Sequence, residues 1–409
     1  MEYLNLLKDI DSEMKRRDVE AVIVFGDTTL ANPDLMYVVG SNLARGGIYF
    51  KRGNCQPLLL TSVLDVQNAR KGKVKTVSTF TDYGFEKLIV EHGQADAYPR
   101  LILKVLKQMG VAGKVVIAGR NDLASGTQLI DRLRTLGVKI SGEFSPTILE
   151  VARETKSAEE LREIRGVGNR TTAVVEKVLE KLKSAKRRRG HLVLDRELAT
   201  VGTVKRFIST QLAIEELAAP EGTIFAIGRS SADPHNSGIP SAEIKERKLI
   251  VFDIFPQSES GYWFDLTRTF VIGRADRRAH RLFEAVEHAQ DMSIEILKNG
   301  LPAQSAMSEA CDVIEKYGFK TVRDIYNGKV QKISSGFIHS LGHGVGLTIG
   351  ERPYLSLQST GPLKTGNVVT VEPGVYLPKY GGVRIEDTVQ ITANGCENLS
   401  NTRKEFELN

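Results

Sequence analysis

The chain has 409 residues, 41% hydrophobic and 26% charged, the balance of a globular protein long enough for two domains. Its 56 basic and 50 acidic residues leave a net charge of +6, too small a surplus on so large a surface to argue for nucleic acid or a membrane. Cys55, Cys311 and Cys396 are scattered without a CxxC, which argues against a disulfide framework and for a reducing cytoplasm. No apolar run approaches the ~18 residues of a membrane span. The charged N-terminus, MEYLNLLKDIDSEMKRRD, lacks the apolar core of a signal peptide. Within it Leu4, Leu7, Ile10 and Met14 fall at helical spacing. Strands are predicted at Ala21–Phe25, Ile48–Phe50, Pro57–Thr61 and Lys114–Ala118, and helices at Leu101–Met109 and Leu129–Leu136. Strands alternating with helices predict an α/β domain over residues 1–150. It carries no phosphate loop or nucleotide fingerprint, so it reads as scaffold and oligomer contact.

Residues 151–409 form the predicted second domain. Ser157 and Glu160 read as a capping box opening a helix from Ala158 to about Leu182. The basic run Lys186–Arg189 reads as a solvated loop, since short basic runs alone are poor evidence of nucleic-acid binding. A helix over Asp195–Ala218 and a strand over Thr223–Ile227 follow. Leu249–Phe255 and Tyr262–Phe270 then read as a hairpin, with Asp253 and Asp265 symmetric about Glu259. Helices are predicted over Arg274–Lys298 and Ala303–Tyr317. A second hairpin closes the domain, with Glu372 and Glu386 symmetric about Lys379. Like charges facing each other inside a sheet destabilise it and call for a counter-ion. Arg384 shares the face of Glu386, but the strand of Glu372 holds no interior cation, so a metal is the better candidate. A single pair of this kind is as readily a solvated strand edge or an arginine-satisfied core acid; two pairs together are harder to explain so. Between the hairpins, His339 and His343 stand among Gly336, Gly342, Gly344 and Gly346, which let backbone pass close to a ligand. Four carboxylates and an imidazole form a hard donor set suited to two divalent ions: manganese, cobalt, iron or zinc.

Asp253 with GYWFDLTRT, HSLGHGVGL after Ile338, VEPGVY around Glu372 and GGVRIED around Glu386 together resemble the pita-bread metallopeptidases. That family comprises methionine aminopeptidase, Xaa-Pro aminopeptidase, Xaa-Pro dipeptidase (prolidase) and creatinase. The upstream α/β region makes the prolidase and aminopeptidase P branch the nearest likeness. The resemblance implies an α+β catalytic domain with pseudo-twofold symmetry, and Asp253, Asp265, His343, Glu372 and Glu386 as ligands of two metal ions. It implies further that Glu372 is the general base and acid, and that His339 and His235, the latter in SSADPHNSG, hydrogen-bond the substrate. A short peptide substrate, a homodimer and a cytoplasmic location are also expected. Three departures bear on specificity. The aspartates stand one residue further apart than is usual, requiring a longer turn or a bulge. Gly350 replaces a second active-site histidine. Tyr354 stands where some prolidases carry a carboxylate-binding arginine, with Arg352 as the substitute at hand. Xaa-Pro aminopeptidase or a broader dipeptidase therefore stays open, as do creatinase chemistry and, in another class, a non-enzymatic binding protein of the same fold.

Overall fold

Short runs of Val, Ile and Leu bounded by turns build the sheet of the N-terminal unit, Met1–Arg153. The computed structural model describes residues 2–409, with side chains from Leu7 onward. In chain order the unit runs α1 (Glu2–Arg16), β1 (Ala21–Gly26), α2 (Pro33–Val39), β2 (Gly47–Arg52), β3 (Leu58–Thr61), α3 (Val66–Lys71) and β4 (Thr76–Thr79). It continues with α4 (Phe85–His92), α5 (Gln94–Gln108), β5 (Val115–Ala118), α6 (Leu123–Thr135), β6 (Ile140–Ser141) and α7 (Ile148–Arg153). The six strands form one mixed sheet in the order β4-β3-β2-β1-β5-β6. Ile23, Ile48, Phe50 and Leu60 from the strands pack against Leu101, Ile102 and Val105 of α5. Leu7, Ile10 and Met14 are buried, as the helical spacing of α1 predicts; the side chain of Leu4 lies outside the described residues.

The second unit, Glu154–Asn409, opens with α8 (Ala158–Lys183). Its capping box is formed: the Glu160 amide donates to Ser157 Oγ at 3.2 Å and the Ser157 amide to Glu160 Oε2 at 2.9 Å. The basic run is not a loop. Lys186–Arg188 (β7) pairs with His191–Leu194 (β8), which pairs with Glu197–Leu198 (β9). Arg189–Gly190 and Asp195–Arg196 have positive φ at both turn positions, the requirement of two-residue hairpins. These turns overturn the helix expected from Asp195. Thr200 instead caps a shorter α9 (Val201–Ile214) by accepting from the Thr203 amide.

The remaining strands are β10 (Leu217–Ala218), β11 (Thr223–Ile227), β12 (Ile250–Ile254), β13 (Gln257–Ser258) and β14 (Leu266–Ile272) in the first half. The second half begins with α10 (Arg277–Ile296), α11 (Ala303–Lys316) and α12 (Arg323–Tyr326). It continues with β15 (Gly342–Val345), β16 (Ile349–Leu355), β17 (Val368–Val371), β18 (Gly374–Leu377), β19 (Gly381–Arg384), β20 (Asp387–Ile391), β21 (Cys396–Asn398) and β22 (Glu407–Leu408). One sheet runs β11-β12-β14-β22, the other β16-β15-β17-β20-β21, and β18–β19 forms a separate hairpin. Each half thus supplies a helix pair followed by a carboxylate-bearing hairpin. The sheets are stitched together at their acids: the Glu386 amide donates to the Thr267 carbonyl at 3.0 Å, and the Arg384 amide to Thr269 Oγ1 at 3.0 Å. Leu282, Val286 and Ala289 of α10 bury against Val371, Val375, Val383 and Ile385, fixing the floor on which the site rests. Each of the leucine, valine and isoleucine side chains contributes roughly 1.5–3 kcal/mol when fully buried.

Candidate metal centre

Register decides how the four acids meet. In the first hairpin Asp253 lies opposite Thr267 and Ile254 opposite Leu266, so the aspartates are not a facing pair. The ladder continues to Gln257 opposite Trp263, and the Gly261 amide closes the turn on the Ser258 carbonyl. The hairpin is therefore centred on Ser260, not Glu259. The pairing of β12 with β14 is continuous, so the extra residue between the aspartates is taken up in the turn rather than in a bulge. Asp265 stands two residues before Thr267, on the same face as Asp253, and the two carboxylates approach diagonally.

The second hairpin meets its expectation of facing glutamates. Val371 lies opposite Asp387 and Gly374 opposite Arg384, which places Glu372 across from Glu386 in the gap between two ladders. The ladder breaks there because Pro373 has no amide hydrogen to donate. Both carboxylates turn inward at that break.

His343 enters from β15. Gly342 and Gly344 flank it for a reason other than access to a ligand. A Cβ at Gly342 would stand 2.0 Å from the Thr370 carbonyl oxygen, and one at Gly344 2.3 Å from that of Arg352. The glycines let neighbouring backbone close on β15. His343 Nδ1 lies 3.1 Å from the Gly344 carbonyl, which assigns the ring proton to Nδ1 and turns the Nε2 lone pair inward. Nε2 stands 3.4 Å from Glu372 Oε1 and 3.6 Å from Asp265 Oδ2. Ligand atoms of Asp265, His343 and Glu386 all fall within 4.8 Å of one another.

All five predicted ligands, with His235 and His339, line one cavity of about 550 Å³. Burial raises the carboxyls of Asp265 and Glu386 well above their ordinary range, and neighbouring carboxylates raise them further. Glu372 is pushed up to about 7, by burial foremost. Arg384 is the one cation set among them. Its Nη2 donates to Asp253 Oδ2, its Nη1 to the Tyr376 hydroxyl at 3.0 Å, and its Nε to Thr267 Oγ1 at 3.2 Å. One guanidinium against four acids leaves an excess of negative charge that only protons or added cations can balance.

The donor set fits divalent ions. Asp253 Oδ1, Asp265 Oδ1 and Glu386 Oε1 are buried oxygens without a hydrogen-bond partner, costly in a folded interior unless something further binds them. Two of the opposite oxygens are held: Thr267 Oγ1 donates to Glu386 Oε2 at 2.7 Å and Arg384 to Asp253 Oδ2. Thr370 Oγ1 donates to Glu372 Oε1 at 3.2 Å and accepts from the His343 amide at 3.0 Å.

Sequence reasoning placed Arg384 on Glu386's face but missed its contact with Asp253, and it missed Tyr376 altogether. Tyr376 follows Glu372 by four residues, a spacing that keeps strand side chains on one face, and that was the available signal. Its hydroxyl lies 2.9 Å from His339 Nε2, while His339 Nδ1 lies 2.7 Å from the Ser340 carbonyl. Burial and the Arg384 charge hold His339 neutral, down to about 3. It therefore donates through Nδ1 and accepts from Tyr376. His235 is exposed at the cavity wall. Arg352 does not line the cavity: its Nε donates to Glu154 at 2.6 Å. The Tyr354 hydroxyl donates to the Gly350 carbonyl at 2.9 Å.

The sequence profile of metallopeptidase family M24 matches residues 162–393, more than half of the chain and a span that contains the four acids and His343. The Xaa-Pro dipeptidase of Pyrococcus furiosus is 32% identical over 336 residues, which cover 78% of this chain and 88% of that protein. The chain belongs to metallopeptidase family M24. This M24 peptidase is also 40% identical to the Xaa-Pro dipeptidase of Pyrococcus horikoshii over 185 residues, 45% of this chain and about half (48%) of that one. The crystal structure of the prolidase from Pyrococcus horikoshii OT3 superposes on it with a TM-score of 0.74 at 25% identity, covering 98% of this chain and 99% of that chain. The M24 peptidase thus has the pita-bread fold of the prolidase and aminopeptidase P branch, and family membership implies a hydrolase that uses divalent metal and acts on peptides.

Proposed function

We propose that this chain hydrolyses the bond before proline in Xaa-Pro dipeptides. Asp253, Asp265, His343, Glu372 and Glu386 would hold two divalent ions, of manganese, cobalt, zinc or iron. Catalysis is assigned to residues 151–409; residues 1–150 serve as scaffold and subunit contact in a cytoplasmic homodimer, as the family resemblance implies. The observation that carries the reading is that Asp253, Asp265 and Glu386, each with a partnerless buried carboxylate oxygen, line one cavity with His343, and that ligand atoms of Asp265, His343 and Glu386 lie within 4.8 Å of one another. Divalent ions held by these residues would supply Lewis acidity, the capacity to polarise a carbonyl and to acidify water near neutral pH. Glu372 takes the proton of the attacking water and delivers it to the proline nitrogen as the C–N bond breaks. Thr370 orients Glu372 through the bond to Oε1, and Arg384 orients Asp253. His235 and His339 hydrogen-bond the substrate or the tetrahedral intermediate. In the free protein His339 is held by Ser340 and Tyr376, so its engagement exchanges the Tyr376 bond.

One observation favours a second reading, Xaa-Pro aminopeptidase. Apart from the buried Arg384, no lysine or arginine is among the residues lining the cavity, so a dipeptide's α-carboxylate finds no free cation there. The test of both is hydrolysis of Xaa-Pro and Xaa-Pro-Yaa peptides after reconstitution with each metal, alongside metal analysis of the protein. About two ions per chain with faster cleavage of the dipeptides supports the first reading. Preference for the tripeptides supports the second, and no hydrolysis with any metal removes both.

A further inference from the structure

Five acids line the cavity: Asp253, Asp265, Glu372, Glu386 and Glu221. The first four belong to the cluster. Glu221 stands apart, exposed at the rim, with no hydrogen bond or ion pair among the described residues. It sits in the turn entering β11, where the Gly222 amide donates to the Ala219 carbonyl at 2.9 Å and Gly222 has φ +84°. β11 then runs straight to the cluster, with Ile224 opposite Asp253. Ile224 follows Glu221 by three residues, so their backbones are at most roughly 10 Å apart. An extended cationic side chain on a peptide held at the cluster, meeting an extended glutamate, spans this distance. The wall between is apolar: Ile224, Phe255 and Ile349 line the cavity and suit a methylene stem. Among the described residues the one lysine or arginine in the lining is the buried Arg384, which is spent on Asp253 and Tyr376. The nearby Lys205 is not a lining residue, and its Nζ is spent on the carbonyls of Thr223 at 2.7 Å and Ser237 at 3.0 Å.

We infer that Glu221 is a specificity-determining residue, receiving the ammonium or guanidinium of a lysine or arginine that precedes the scissile bond. This rests on the proposed cleavage before proline. An Xaa-Pro substrate carries two possible cations, the α-ammonium common to every such peptide and the Xaa side chain, and only the second lets the acid at the rim read the identity of Xaa. The preference is moderate, because an exposed ion pair in water supports a discrimination of roughly two- to fivefold.

The test compares lysine-proline with norleucine-proline, the same stem without the ammonium, and with Nε-acetyl-lysine-proline. Both wild type and Glu221→Gln are used in metal-loaded form. Wild type is expected to favour lysine-proline about threefold in kcat/KM over both neutral peptides. In Glu221→Gln this ratio falls to about one, and 0.5 M salt lowers it in wild type. A ratio that survives the substitution, or an equal loss on all three peptides, overturns the inference, the latter because Glu221 would then hold the α-amine common to them. Equilibrium binding of the same peptides to metal-loaded Glu372→Gln protein, with and without Glu221→Gln, keeps the two readings apart. Tighter binding of lysine-proline that depends on Glu221 supports the inference whether or not turnover is seen. Equal binding of the three refutes it, even where hydrolysis before proline stands.

Discussion

Glu372 carries the largest single consequence at the scale of one residue. It is a half-buried carboxyl that lies against His343 and is held at about 7, close to the pH at which a proton acceptor and donor works best. Glu372→Gln is expected to lower kcat by roughly 10²- to 10⁴-fold, with the far-ultraviolet circular dichroism of the native fold retained. Turnover within a few-fold of wild type in that variant would remove the assignment. Arg384 acts differently, as the counter-charge of Asp253, and both side chains are buried. Arg384→Met leaves a buried carboxylate without its partner, and the metal-free protein is expected to lose about 3 kcal/mol in urea unfolding. An unchanged midpoint and slope would mean that the pair contributes nothing. The Tyr376 hydroxyl accepts from the same guanidinium and donates to His339, so this variant should also broaden the His339 ring signals in an NMR spectrum.

Among the elements, β15 is the one held most tightly by geometry. Gly342 approaches the Thr370 carbonyl so closely that any side chain forces β15 and β17 apart. Thr370 is also the residue that binds both the His343 amide and Glu372. Gly342→Ala is therefore expected to weaken metal binding at least tenfold in a competition titration and to cost roughly 1–3 kcal/mol of stability, the range for forced overpacking. Normal metal affinity in this variant would show that the approach is not needed. The glycines around His343 were visible in the chain, yet their reason was not, because the atoms they admit belong to Thr370 and Arg352, distant in sequence. The hairpins were legible from alternation, and the facing of Glu372 and Glu386 followed from counting residues about Lys379. The same count misplaced Asp253 and Asp265, since turn geometry at Ser258–Gly261 moves the centre of the hairpin by one residue and the partner of Asp253 by two, from Asp265 to Thr267. The helix expected from Asp195 failed for a related reason. Positive φ at Arg189 and Asp195, residues without glycine's freedom, folds that stretch into a hairpin.

For the whole molecule, the crowd of buried acids sets how stability responds to pH and to metal. Asp265, Glu372 and Glu386 have folded-state pKa values raised above the unfolded ones. Below the unfolded values they are neutral in both states and oppose nothing; as pH rises, the folded state must give up protons it holds more tightly. The metal-free protein should thus lose stability as pH rises from about 5 through 7, with about 3 kcal/mol at stake for Glu372 alone. His339 works the other way, being held neutral below its ordinary range, but it sets one proton against three. Thermal unfolding with a chelator is expected to show Tm falling over this interval. With manganese present the trend should reverse, because ions bind the deprotonated carboxylates and imidazole and favour high pH. Parallel curves with and without metal would contradict the cluster's role.

The sequence by itself determined that two hairpins and a glycine-rich histidine segment carry the four acids and the imidazole, since residue type and strand periodicity are local properties written every second position. It also determined the alternating strands and helices of the first 150 residues and the capped helix after Ser157. Tertiary structure alone decided that Arg384 pairs with Asp253 rather than with its neighbour Glu386, that Arg352 turns to Glu154, and that Glu221 borders the same cavity as the cluster. Those outcomes depend on which strands of two separate sheets come to lie side by side, and long-range packing, not the order of residues along one strand, settles that.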